Sequence, residues 1–429
     1  MLNIKSQFPI FQNHPNLVYL DSAASTQTPA VVLSAMDEYY TQYRSNIHRG
    51  LYDLSERATE EYEEARKKVA EFIQAQPQEI VFTSGTTQSL NLLASSLEKT
   101  LQPGDNIVLT RSEHHANLLP WQRLAQKTGA KIRFLDLDME MEDIDGDDKV
   151  FANMKNIFPV AEFSGTFSID LNELKKCIDE KTKIVSFALV SNALGSIAPA
   201  KQIIEYAKKF HAITIVDAAQ AMAHMPVDVQ DLDCDFLAFS GHKMYGPTGI
   251  GVLYGKKDML ANMDPYMLGG EMIEAVTYES ATWAQAPMKF EAGTPNIAGA
   301  IGLGAAVDFI QSIGWKSIQE HENNLTQLFL DQMKNFPFLH VIGSRSLEKR
   351  IGVISLACDR VHPHDIADIL NRDHVCVRAG HHCAMPLMSY LGLQGTTRIS
   401  FGVYNTEQDV QACVKAIKNV QNIFYGTSV

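Results

Sequence analysis

Short apolar runs alternate with amphipathic stretches through most of the chain. EIVFT at 79–83, NIVLT at 106–110, KIRFLDL at 131–137, TKIVSFALV at 182–190 and ITIVD at 213–217 are rich in β-branched residues and predict strands. Between them SLNLLASSL, LPWQRLAQKTG and AKQIIEYAKKFH place apolar residues at helical spacing and predict helices. Continuous apolar strands spaced by helices predict βαβ units, hence an α/β fold with a mostly parallel sheet covered on both faces. A ligand then belongs at the C-terminal ends of the strands.

From about Gly299 the pattern changes. AIGLGAAVDFIQSIG and SIQEHENNLTQLFLDQMKNF predict long helices, RIGVISLACD, VCVRAG and TRISFGVYN predict strands, and EQDVQACVKAIKNVQNIF predicts a closing helix. The expected organisation is an N-terminal segment (1–20) packing with the small domain, a large α/β domain (21–298) and a smaller C-terminal α+β domain (299–429).

Composition narrows the class. A chain of 429 residues with 45% hydrophobic, 20% charged and 9% aromatic residues is that of a large soluble globular protein of two or three domains. Its formal net charge of −13 opposes a polyanionic partner, so nucleic acid is not expected. The N-terminal MLNIKSQFPIFQNHP has neither a basic n-region nor a continuous apolar h-region, and no run of 18 apolar residues follows. No membrane association and a cytoplasmic location are expected. The six cysteines form no CxxC pair and are expected as thiols. In DLDMEMEDIDGDD, residues 136–148, eight of thirteen residues are acidic and none is basic, which predicts a solvated loop and lacks the glycine and terminal glutamate spacing of a Ca²⁺ loop.

Three constellations carry chemistry. In FTSGTTQSLNLL (82–93) a strand runs through Gly85 into Thr86, Thr87 and a helix, which makes either an ordinary N-cap or a phosphate cradle. In ITIVDAAQAMAH (213–224) a buried strand ends at Asp217, with Gln220 three residues on; the carboxylate either caps the next helix or meets a cationic partner such as a protonated ring nitrogen. In FLAFSGHKMYGPTGIGVLYG (236–255) Lys243 lies between two apolar runs. Partial desolvation there makes its amine a nucleophile or Schiff-base former, although a lone lysine is usually a surface residue.

Together, in this order, the three resemble the fold-type-I pyridoxal-phosphate (PLP) enzymes of the class V aminotransferase group. RAGHHCAMPLM at 378–388 is similar to the signature of group II cysteine desulfurases, the SufS and selenocysteine-lyase type. VYLDSAASTQTP, NIHRG, SEHHANLLPW, VSNALG, FEAGTPN and TTRISFGVYN agree with that family across nearly the whole chain. The resemblance implies a seven-stranded-type, mostly parallel sheet and a small domain that carries a catalytic Cys383 loop. It implies that Lys243 holds PLP covalently, that Asp217 keeps the pyridine nitrogen protonated, and that Gln220 contacts the ring hydroxyl. His114 would stack on the ring, while Thr86, Thr87, Ser240 and His242 would bind the phosphate. Thr294 would reach the phosphate of a neighbouring subunit, hence a homodimer. Asn192 and Arg398 would receive the substrate amino acid, with His48 and Arg378 in matching pocket motifs.

The implied reaction converts L-cysteine to L-alanine, leaves a persulfide on Cys383, and supplies sulfur through a SufE- or SufU-type acceptor for iron–sulfur cluster assembly. L-Selenocysteine is the alternative substrate, another class V aminotransferase-like reaction the alternative chemistry, and a non-enzymatic scaffold is disfavoured because Lys243 and Asp217 are both present. His381 and His382 beside Cys383 suggest imidazolium activation of the thiol. A metal reading of His-His-Cys is weak, since consecutive residues cannot all close on one tetrahedral ion. The chain departs from the family where relatives carry a basic residue and a glutamate: here Ser84 and Gln88 stand. The acidic stretch with the following KVFANMKNIFPVAEFSG is also longer than the corresponding connection in relatives, and is expected to be a surface excursion away from the site.

Overall fold

The computed structural model describes residues 2–141, 165–170, 172–358 and 360–426. Strands β1 (Ile80–Thr83), β2 (Asn106–Thr110), β3 (Lys131–Leu135), β4 (Thr182–Ala188), β5 (Ile213–Asp217), β6 (Phe236–Ser240) and β7 (Gly251–Gly255) form a seven-stranded sheet in the order β1-β7-β6-β5-β4-β2-β3. β7 is antiparallel to both neighbours, and the other four pairings are parallel.

The apolar runs lack a polar face because the sheet lacks a wet one. Successive side chains of a strand point to opposite faces. Ile80 and Phe82 of β1, Val185 and Phe187 of β4 and Leu237 and Phe239 of β6 enter one buried cluster, while their neighbours Val81, Ile184 and Phe236 enter another. Helices α1 (Asp53–Phe72), α2 (Thr86–Ser96), α3 (Leu119–Thr128), α4 (Ala200–Lys208) and α5 (Ile297–Ile313) supply the cover. Leu90 and Leu93 of α2 and Trp121 of α3 close the second cluster; Tyr62 and Val69 of α1, Ile203 of α4 and Leu303 of α5 close the first. Each such side chain contributes roughly 1.5–3 kcal/mol on burial.

The boundary expected at residue 299 falls two residues inside α5. Gly304 brings this helix so close to α1 that a Cβ there would lie 3.0 Å from the Ala65 Cβ. α5 packs with the large sheet for that reason. The chain then builds a second sheet from β8 (Leu339–Ile342), β9 (Val353–Cys358), β10 (Arg378–Gly380) and β11 (Thr396–Ser400), antiparallel throughout and ordered β8-β9-β11-β10. Helices α6 (Trp315–Met333), α7 (Pro363–Arg372) and α8 (Glu407–Phe424) bury Leu325, Ile366 and Val410 against it.

The N-terminal segment serves both units. Phe8 and Phe11 sit in the large core, whereas Val18 and Leu20 sit in the small one. Val18–Tyr19 pairs in parallel with Val375–Cys376. The acidic stretch opens as a strand, Leu137–Met141, paired antiparallel with Gly165–Ile169. The rest of the acidic run and the expected excursion fall on residues 142–164, outside the described residues. No single helix among the described residues is long and apolar enough to cross a membrane.

Candidate active site

Five parallel strands, β1, β2, β4, β5 and β6, end on one edge of the sheet, and the segments that follow them surround a cavity of about 240 Å³. Twelve of the fourteen expected site residues line it: Thr86, Thr87, His114, Asn192, Asp217, Gln220, Ser240, His242, Lys243, Arg378, Cys383 and Arg398. One end is a hydroxyl cradle at the start of α2. The Thr86 N–H donates to Ser240 Oγ at 2.9 Å, and the Thr86 hydroxyl lies 2.8 Å from the same oxygen. Gly85 turns the chain into the helix with a φ of +149°, a conformation suited to glycine. Hydroxyls and free N–H groups at a helix N-terminus suit a phosphate. Ser84 and Gln88, the two departures from the family, bond to each other: the Ser84 N–H donates to Gln88 Oε1 at 2.5 Å, and Gln88 Nε2 donates to the Tyr266 hydroxyl at 3.0 Å.

At the floor, Asp217 is 5% exposed and its Oδ1 accepts the Ala219 N–H at 2.9 Å. Burial pushes its carboxyl pKa up, with Lys243 opposing. A buried carboxylate of this kind suits a cationic ring nitrogen. Gln220 beside it donates to the Ala23 carbonyl at 2.7 Å. Burial likewise lowers the Lys243 pKa against the pull of Asp217, which leaves more of the amine neutral. His114 is pushed down to about 3, first by burial and then by Lys243. Its Nδ1 accepts the Ala116 N–H at 3.0 Å, so the neutral ring carries its hydrogen on Nε2. His242 is pushed down to about 4 by burial, then by Lys243.

The other end gathers guanidinium groups. Arg378 and Arg398 stand directly opposite each other in the β10–β11 pairing, and both line the cavity. Like charges in that position repel, and an anion between them relieves it. Arg398 is 1% exposed; Nη1 donates to the Asn192 carbonyl at 2.9 Å and Nη2 to Asp21 Oδ1 at 3.0 Å. Its Nε–H is buried with no hydrogen-bond partner among the described residues, an unmet donor suited to a carboxylate.

Cys383 follows β10 in a tight loop, where His382 and Cys383 take φ values of 53° and 56°. Asn192 Nδ2 donates to the His382 carbonyl at 2.6 Å, and the His115 N–H to the Cys383 carbonyl at 2.7 Å. The expected imidazolium activation does not come from His382. Burial, followed by Arg398, pushes that ring down to about 3, and its Nε2 lies 2.7 Å from the Thr396 hydroxyl. Cys383 shares its cavity with Lys243, Arg378 and Arg398.

The sequence pattern of the family Aminotransferase class-V matches residues 18–149 and 152–413. The chain belongs to the class V aminotransferase family. It is 46% identical over 426 residues to a probable cysteine desulfurase of Halalkalibacterium halodurans, covering 98% of each chain. It is 44% identical over 412 residues to a cysteine desulfurase of Haloferax volcanii, covering 95% of this chain and 90% of that one. Among solved structures, the apo cysteine desulfurase of Thermococcus onnurineus superposes with a TM-score of 0.87 at 41% identity, covering 97% of each chain. The cysteine desulfurase CsdA of Escherichia coli, in an S-sulfonic acid form, gives 0.86 at 36% identity and 99% of each chain.

Two expected site residues of this class V family member stand apart from its cavity. The ring of His48 rests edge-on against Tyr62, 6.0 Å between centroids, and its Nε2 lies 3.0 Å from Glu63 Oε1. Thr294 is exposed on the segment that follows Glu291. Sequence reasoning also missed residues. Asp21 lies in the quoted VYLDSAAST run, but its partner Arg398 is 377 positions away and no local pattern marks the pair. Glu113, 3% exposed behind His114, accepts from the Thr110 hydroxyl, from Asn117 Nδ2 at 2.6 Å and from the Ala188 N–H at 3.2 Å. A charged residue beside the expected stacking histidine was its only signal.

Proposed function

We propose that this chain is a PLP-dependent cysteine desulfurase of the group II type, which converts L-cysteine to L-alanine and carries the sulfur as a persulfide on Cys383. The observation that carries the reading is that one cavity holds a lysine amine, a buried aspartate, a pair of opposed arginines and a thiol. The relatives named cysteine desulfurase over nearly the full chain support it.

Thr86, Thr87, Ser240 and His242 would hold the cofactor phosphate, His114 would cover one ring face, and Gln220 would meet the ring hydroxyl. Asp217 would hold a proton at the ring nitrogen. When bound, PLP supplies an electron sink for negative charge at the substrate Cα. Arg398, with Arg378 and Asn192, orients the substrate carboxylate. Lys243, its amine kept neutral by burial, would remove the substrate Cα proton. The Cys383 thiolate would attack the substrate sulfur: an S–S bond forms, the substrate Cβ–S bond breaks, Cβ takes up one proton, Cα regains the one held by Lys243, and the fragment leaves as alanine. The balance is cysteine plus protein thiol to alanine plus protein persulfide.

The enzyme works as a homodimer in which Thr294 serves the neighbouring copy's phosphate; its exposure outside its own cavity supports this. Exposed apolar side chains such as Leu51, 95% exposed, support a covering second copy. The persulfide then passes to an acceptor protein of the SufE or SufU type for iron–sulfur cluster assembly, in keeping with the exposed Met385 two residues from the thiol.

Incubation with L-cysteine is expected to yield alanine and a mass gain of one sulfur on the Cys383 peptide. The Cys383→Ala variant is expected to stop alanine formation from cysteine but retain it from selenocysteine, whose selenium leaves without a thiol acceptor. Wild-type protein that binds PLP yet forms neither alanine nor the modified peptide would refute the reading.

A further inference from the structure

The residue after the stacking histidine touches the thiol loop twice. The His115 backbone N–H donates to the Cys383 carbonyl at 2.7 Å, and its ring Nε2 accepts the Met385 N–H at 3.1 Å. The two contacts bracket Ala384, and the Ala384 N–H donates to the His381 carbonyl at 2.8 Å. Between these bonds lie two successive left-handed residues, His382 and Cys383, that are not glycine. Such backbone persists only where the surroundings hold it. Asn192 holds the entry of the loop through the His382 carbonyl. Nothing else among the described hydrogen bonds holds its exit at Met385 from outside the short helix Met385–Tyr390 that the loop leads into.

We propose that His115 is a positioning residue that clamps the exit of the Cys383 loop and so fixes where the thiol meets the substrate sulfur. The proposal rests on the desulfurase reading and goes beyond it by assigning the loop's anchor. His114 and His115 are neighbours in one short turn, so the ring that covers the cofactor and the ring that holds the thiol loop are set by the same backbone. Burial, then His381, lowers the His115 pKa below its ordinary value, which keeps Nε2 an acceptor at neutral pH. An asparagine cannot place an acceptor at the Nε2 position, whereas the longer glutamine can.

The test uses the holoenzyme, with His115→Leu removing the acceptor and His115→Gln restoring one. Amide hydrogen exchange of the peptide spanning 381–388 reads the clamp, and the ratio of cysteine to selenocysteine turnover reads its effect on the thiol step. His115→Leu is expected to speed exchange and to lower the ratio by about fivefold to tenfold, the value of one hydrogen bond. His115→Gln is expected to stay within about twofold of wild type on both readouts. Exchange and ratio both unchanged in His115→Leu overturn the proposal, and so does an equal fall of both turnovers, which points to damage at the cofactor. Wild-type enzyme that makes no alanine sinks the desulfurase reading alone, and the exchange measurement still decides the clamp.

Discussion

Replacing Glu291 by glutamine probes how the EAGTPN segment is fixed. Arg66 and Glu291 make a two-point ion pair, Nη1 to Oε1 at 2.7 Å and Nη2 to Oε2 at 2.9 Å, with side chains 2% and 7% exposed. Glu291 also accepts the Phe82 N–H at 2.7 Å and the Tyr62 hydroxyl at 3.0 Å. These three residues present four donor groups to the carboxylate. A glutamine must turn its NH₂ group toward two of them and removes the guanidinium's buried counter-charge. Breaking one side of a buried pair costs about 3–5 kcal/mol. The same guanidinium also reaches Glu63, Nε to Oε2 at 2.9 Å, but that carboxylate is 44% exposed. Water screens it, so Glu63→Gln costs below about 1 kcal/mol. Urea unfolding followed by circular dichroism at one protein concentration compares the two, because the denaturant slope follows the surface exposed and is shared by both variants. Glu291→Gln is expected to lower the midpoint at least threefold further than Glu63→Gln, a factor taken as roughly the ratio of those costs. Equal shifts would refute the assignment of Glu291 as the segment's buried anchor.

Two more outcomes follow from buried groups. Glu113 is pushed up to about 7 from its ordinary 4.5 by burial above all, so the folded chain holds an extra proton between those values. Stability from this group is present below pH 4.5 and lost as pH rises through 7, the sign for a raised pKa. Glu113→Gln is expected to flatten the fall in urea midpoint between pH 5 and pH 8, only partly because Asp217 shifts in the same direction; an unchanged slope tells against it. Gly85→Ala puts a Cβ 3.1 Å from Ser240 Oγ at a φ of +149°. With strain of one to a few kcal/mol, PLP affinity measured by visible absorbance is expected to fall roughly tenfold, and unchanged affinity would show that the cradle tolerates a side chain.

Periodicity carried the large sheet. Strands such as NIVLT and ITIVD are buried on both faces, so their apolar runs are uninterrupted and their limits match Asn106–Thr110 and Ile213–Asp217. The motif residues of the cavity were legible because chemistry constrains a few side chains at the strand ends. α5 was expected with the small domain although its buried residues join the large core, because its sequence is mostly apolar around the helix and such a pattern does not say which core it joins. The neutral state of His382 was illegible for a different reason. Adjacency in sequence suggests an imidazolium beside the thiol, but the charge is set by burial and by Arg398, sixteen positions on. His48 was read from its motif neighbours, whereas its ring is held by Tyr62 and Glu63 on α1.

The Asp21–Arg398 contact has a bearing on synthesis. Residues 18–21 leave the ribosome early, yet their partners Val375, Cys376, Arg398 and Ser400 come near the end of the chain. Such distant pairing closes late. The amine at Lys243 can be in place on a half-made polypeptide, but the Arg398 guanidinium and the Cys383 thiol that share its cavity cannot. Under the proposed reaction, sulfur loading would therefore wait until the small sheet has formed.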